Sequence, residues 1–131
     1  MSKVFLSAGH GGNDPGAVAN GLYEKTINLN TLLSCREELI RHGVTVVCSR
    51  TTDVDDPVSQ EVKEANLSEA DIAVSFHANA GGGDGFEVYY HSSNTNGKKL
   101  AKLCEKYVKA IGQNSRGVKR GNRLQFIKNT K

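Results

Sequence analysis

Apolar residues along this chain fall into two kinds of run. Short runs rich in β-branched and aromatic residues are bounded by glycine or charge: KVFLSA at 3–8, VTVVC at 44–48, DIAVSF at 71–76 and FEVYY at 86–90. Each has the length of a strand, and VTVVC is apolar on both faces, as in a parallel sheet covered by helices. Longer stretches between them show three-and-four spacing. Residues 25–42 place Leu29, Leu32, Leu33, Leu39 and Ile40 on one stripe, interrupted by Arg36, with Gly43 as a C-terminal stop. Residues 98–111 align Leu100, Leu103, Cys104, Tyr107, Val108 and Ile111 on another helix. A shorter helix is predicted over 58–67, with Thr51, Thr52 and Asp53 as N-cap candidates, and residues 124–127 are predicted as a final strand or extended arm. Strands alternating with helices predict an α/β fold with a largely parallel sheet.

A length of 131 residues suits one domain with a single core. Fourteen glycines against two prolines fit a loop-rich globular domain. No apolar run has the length of a membrane span, and the opening MSKVFLSAGHGG fits a first strand better than a signal peptide. Cys35, Cys48 and Cys104 form no CxxC pair, so they are expected to be small buried hydrophobes rather than thiolate ligands or a disulfide framework. The net charge of +3 is concentrated late in the chain, in Arg116, Lys119, Arg120, Arg123, Lys128 and Lys131. Such a face suits polyanions in general. Nucleic acid is disfavoured as a partner, because the basic stretch lacks stacking aromatics and any known binding motif.

Ligands of open α/β sheets gather beyond the carboxyl ends of the strands. His10 follows the first predicted strand and His77 the third, each beside small residues (GHGG and FHANAGGG) that leave room around an imidazole. Glu24 opens the long helix, where its carboxylate is expected to face back toward the same edge. Two histidines and a carboxylate, with a fourth position open, make up a catalytic zinc composition. The same residues have plainer readings: Glu24 as a partner of the helix dipole, the histidines as hydrogen-bonding strand ends. His42, before Gly43, reads as a C-terminal dipole partner and His91 as a surface residue. Other chemistries find less support. The loop from Gly9 to Gly16 lacks the Gly-Lys-Ser/Thr ending of a phosphate loop, no GxSxG elbow occurs, and no nucleophile motif surrounds Cys48.

Longer words around these residues carry a resemblance. SAGHGGNDPGAVANGLYEKTINL resembles the opening of amidase_3 domains, with their GHGG-x-DPGA loop and NGL-x-EK helix start. CSRTTD, EANLSEADIAVSFHANA, GFEVYYHS and LQFIKNTK are similar to that family's later landmarks, in the same order. The chain thus resembles the zinc-dependent N-acetylmuramoyl-L-alanine amidases over nearly its whole length. The resemblance implies a single α/β domain with a mixed, mostly parallel sheet, about six strands in the complete family fold, flanked by helices. It also implies Zn2+ held by His10, Glu24 and His77, and Asn79 as a substrate-binding residue that positions ligand or loop. The implied substrate is peptidoglycan, cut between N-acetylmuramic acid and L-alanine at the bacterial cell wall. The setting would be phage lysis or a longer secreted autolysin, with no membrane partner. In the family a general-base glutamate lies in an AVLVE-type strand after the segment matched by LQFIKNTK. The residues to Lys131 stop before that strand, with Glu87 and Glu105 as poor substitutes, so zinc binding with weak hydrolysis is expected, together with self-association through an uncovered sheet edge. A non-catalytic wall-binding or regulatory module of the same fold is the alternative. One departure stands inside the match: the family often has arginine where this chain has Glu61, which puts the local helix packing in doubt.

Overall fold

β1 (Lys3–Ala8) is the middle strand of a three-stranded parallel sheet in the computed structural model, which describes residues 2–81 and 83–131. The chain continues through β2 (Val18–Ala19), β3 (Leu22–Tyr23), α1 (Glu24–Arg41), β4 (Thr45–Cys48), α2 (Val58–Ser68), β5 (Ile72–Phe76), β6 (Phe86–Tyr90), α3 (Thr95–Ala110), β7 (Ser115–Arg120) and α4 (Gln125–Asn129). The residues divide into two units, Met1–Ala80 with Thr130–Lys131, and Gly81–Asn129. The expected α/β class with parallel sheets is what forms in both.

In the first unit the strand order is β4-β1-β5, with both pairings parallel. Alternation along β1 sends its side chains to two faces. Val4, Leu6 and Ala8 pack with Leu32 of α1 into a core flanked by Leu33, Cys35, Leu39, Val44, Val46, Cys48, Val74 and Phe76. The other face carries Phe5 and Ser7, both fully buried, and α2 lies against β1 with Glu61 and Ala65 buried. Burying a Leu or Phe side chain stabilises by about 1.5–3 kcal/mol, so this small set anchors the strand whose end leads into His10. α1 ends as expected: Gly43 adopts φ +78°, and the His42 Nδ1 lies 2.8 Å from the Glu38 carbonyl.

In the second unit β6 and β7 pair in parallel, with a register shift between Phe86 and Glu87. The Asn94 side chain caps α3 by accepting from the Gly97 amide at 2.7 Å.

Several expectations need correction. Residues 124–127 are not extended: α4 begins at Gln125, with Phe126 buried and the Lys128 amide donating to the Leu124 carbonyl. Thr51, Thr52 and Asp53 do not cap α2. Pro57 stands at that position, its carbonyl accepting from the Gln60 and Glu61 amides, while Asp53 is drawn to Lys25 and Gly12. The stripe on α3 is only partly covered, since Leu103, Tyr107 and Ile111 are exposed. The three cysteines are free and half-buried rather than buried.

Candidate metal centre

His10 and His77 stand just beyond the carboxyl ends of adjacent strands β1 and β5, and Glu24 is the first residue of α1. The structure brings the three together. His10 Nε2 lies 3.2 Å from Glu24 Oε2, and His77 Nδ1 lies 3.1 Å from Glu24 Oε1. One ligand atom from each fits within 4.8 Å of the others. The two imidazoles meet edge to face, with centroids 5.5 Å apart.

Local backbone makes this convergence feasible. His10 sits at φ +66°, a left-handed conformation that costs a non-glycine residue on the order of 1–3 kcal/mol and persists only where surroundings enforce it. A β-carbon at Gly9 would overlap the His77 ring. At Gly16, φ +68°, a β-carbon would come within 2.7 Å of Glu24 Oε2 and the His10 ring. The glycines of this loop therefore make room for the ligand side chains. Arg50 fixes the loop from below. Its buried guanidinium donates to the carbonyls of Ala8, Gly9, Lys25 and Thr52 at 2.9–3.3 Å.

Glu24 is only 6% exposed, yet it stays charged. Burial disfavours the carboxylate, but amides of Ala17 and Ala78, the Asn28 carboxamide and the charge of His10 together hold its carboxyl below the ordinary glutamate value. The His10 Nδ1–H donates to Asp14 at 2.7 Å, leaving Nε2 turned to Glu24. With the Gly16 amide, that bond lowers the Asp14 carboxyl as well. A carboxylate behind a ligand histidine is the usual outer partner of a metal site.

The residues fit zinc. With zinc–nitrogen and zinc–oxygen bonds near 2.0–2.2 Å, neighbouring ligand atoms of a tetrahedron stand about 3.4 Å apart. The two nitrogen–oxygen separations, each to a different Glu24 oxygen, are near that edge, and one ligand atom from each residue lies within 4.8 Å of the others. An anionic carboxylate flanked by two imidazoles, one already oriented through its second nitrogen, is the right donor chemistry.

The sequence singled out the three residues that the structure brings together, but not their supports. Asn28 was legible as a polar residue one turn beyond Glu24 on the apolar stripe; its carboxamide donates to the Gly9 carbonyl at 3.0 Å. Asp14 was legible as a carboxylate four residues beyond His10 in a loop. Arg50 gives no signal of its own, because carbonyl acceptors are invisible in sequence. Asn79, expected to touch substrate, is exposed two residues past His77. Glu87 accepts from Lys119 at 2.7 Å and Glu105 from Ser115 at 2.6 Å, both within the second unit.

An α/β unit with two histidines and a glutamate converging past its strand ends has the composition of an open metal site. The comparisons give the family. Residues 4–131 match the family model described as N-acetylmuramoyl-L-alanine amidase, so the chain belongs to that family. It is 39% identical over 128 residues to the N-acetylmuramoyl-L-alanine amidase CwlM of Bacillus licheniformis, covering 93% of this chain and 50% of that one. The Endolysin of Bacillus phage SPP1 is 39% identical over 140 residues, covering 99% of this chain and 51% of the relative. This chain therefore spans about half the length of these relatives. Among solved structures, the catalytic domain of CwlV, an amidase from Bacillus (Paenibacillus) polymyxa var. colistinus, superposes with a TM-score of 0.90 at 36% identity. That match covers 100% of this chain and 75% of the other.

Proposed function

We propose that this chain is the metal-holding part of a peptidoglycan amidase, acting on the bond between N-acetylmuramic acid and L-alanine at the bacterial cell wall. The observation that carries the reading is the convergence of His10, Glu24 and His77 on one point, in a chain of the amidase family. His10 through Nε2, His77 through Nδ1 and a Glu24 oxygen would hold zinc. When bound, zinc supplies Lewis-acid polarisation of the scissile carbonyl and a nucleophile available near neutral pH.

The chain's own residues do the rest by placement. Glu24 keeps its negative charge through four polar neighbours, and Asp14 keeps His10 from turning. Asn79, exposed beside His77, is assigned to contact the substrate or steady its loop. Carboxylates near the site are committed elsewhere: Asp14 to His10, Asp53 to Lys25, Asp55 to the Asn13 amide. Amide hydrolysis needs a general base to move the proton to the leaving nitrogen. None of these three carboxylates is free to serve, so weak hydrolysis beside firm zinc binding is the expected outcome.

Release of stem peptide from purified muropeptides, with and without added zinc, tests both parts. Weak zinc-dependent release, absent in Glu24→Ala, supports the reading. Zinc-independent release would contradict the metal role, and vigorous turnover would show that a base is already in place. A wall-binding module without chemistry is the second reading, supported by the same committed carboxylates; it expects wall binding and no release at any zinc concentration.

A further inference from the structure

We propose that the second unit carries a separate binding site for an oxyanion, a carboxylate or phosphate carried on a small apolar body. A cavity of about 360 Å³ is lined there by Tyr89, Arg120, Gly121, Asn122, Arg123 and Leu124. That volume lies within the range of small-ligand pockets. Its place follows the rule that ligands gather past the carboxyl ends of parallel strands: Tyr89 is in the last turn of pleat of β6, Arg120 ends β7, and the other residues follow directly.

Charge in the cavity is unbalanced. Lys119, next in sequence, is neutralised by Glu87 at 2.7 Å and stands over the Tyr89 ring. The guanidiniums of Arg120 and Arg123 have no hydrogen-bonded or ion-pair partner among the described residues, and no carboxylate lines the cavity. Two neighbouring guanidiniums repel each other, and each presents a planar fork suited to two oxygens of a carboxylate or phosphate.

The floor beneath them is fixed. The Gly121 amide donates to the Tyr90 carbonyl at 2.8 Å and the Leu124 amide to the Gly121 carbonyl at 2.9 Å. Asn122 accepts from the Ser92 amide at 2.9 Å and donates to the Ser92 hydroxyl at 2.6 Å. Only glycine fits at position 121, because a β-carbon would stand 2.8 Å from Tyr89 Cβ. A rigid loop thus holds two unpaired arginines beside an aromatic ring and Leu124, which lowers the ordering cost of taking up an anion. The site does not depend on the amidase reading.

The test is a titration of the whole 131-residue chain, followed by amide NMR shifts, with N-acetyl-D-alanine, its carboxamide and methyl phosphate. Saturable shifts at Tyr89 and Gly121–Leu124 are expected for at least one anion at millimolar concentration, and none for the carboxamide. A response to the carboxylate alone identifies a peptide end as the natural ligand group; methyl phosphate alone identifies a polyol phosphate; both identify a general oxyanion site. Arg120→Gln with Arg123→Gln should weaken binding at least about tenfold, and the paired lysine variant, which keeps charge but loses the fork, at least about threefold. No saturable shift with either anion, or equal binding in the glutamine and unaltered chains, would overturn the proposal.

Discussion

Glu24 and Glu61 are both buried glutamates of the first unit, 6% and 1% exposed, and their carboxyls have opposite fates. At Glu24 two backbone amides, a carboxamide and both histidines face the carboxylate, and it remains ionised below its ordinary pKa. Glu61 faces Asp56 instead. Burial, with the nearby Asp56 charge adding to it, pushes Glu61 up to about 8 and outweighs Ser7 and Arg50, which pull down. Burial raises Asp56 too. Both Glu61 oxygens and Asp56 Oδ2 are buried without a conventional donor, the arrangement of two carboxyls sharing a proton. The Arg50 guanidinium lies near both but is spent on backbone carbonyls. Burial alone therefore does not decide whether a carboxyl is charged; the donors aimed at it do. One glutamate stays ionised, and the other is a neutral part of the core. The helix around Glu61 forms intact, which answers the doubt that its charge raised.

The largest expected effect concerns the neutral member. A proton held in the folded state between the ordinary value of 4.5 and about 8 makes stability full below that window and lost as pH rises through it. The loss should be on the order of a few kcal/mol, about 1.4 kcal/mol for each unit of difference. Urea midpoints measured from pH 5 to 9 should fall for the unaltered chain and stay much flatter for Glu61→Gln. Equal slopes would refute the shared proton.

Next in size is Gly9→Ala. The added methyl displaces the flexible end of His77 rather than backbone. Calorimetric zinc affinity should drop about a hundredfold or more, while stability without metal falls by about 1–3 kcal/mol, the usual cost of an extra carbon at a buried position. Unchanged affinity would remove His77 from the site. Smallest is Asp14→Asn, which leaves His10 in place but weakens its outer partner. A loss of about 10–100-fold in zinc affinity is expected. An effect below twofold would show that Asp14 serves the loop rather than the ligand.

Much of this was readable from residues. KVFLSA, VTVVC, DIAVSF and FEVYY became strands, and both long stripes became helices within a few positions, α1 packed on β1 and α3 on β6 and β7. The convergence of His10, Glu24 and His77 was readable because strand ends and a helix start are places, not only residue types. What escaped depends on pairing. SRGVKR looks like a basic tail, yet it forms β7, since its backbone pairs with β6 regardless of side-chain polarity. LQFI is too short to distinguish strand from helix, and the burial of Phe126 is a tertiary matter. The two-residue strands β2 and β3 have no period to detect. The Asp56–Glu61 pair was hidden because the spacing of two acids says nothing about whether a donor lies between them.

The measurement closest to the central claim is the zinc content of the purified chain after dialysis, beside His10→Ala, Glu24→Ala and His77→Ala. The account predicts one zinc per chain, lost in each variant while Glu61→Gln retains it. A chain that takes up no zinc, or variants that bind it as well as the unaltered protein, would contradict it.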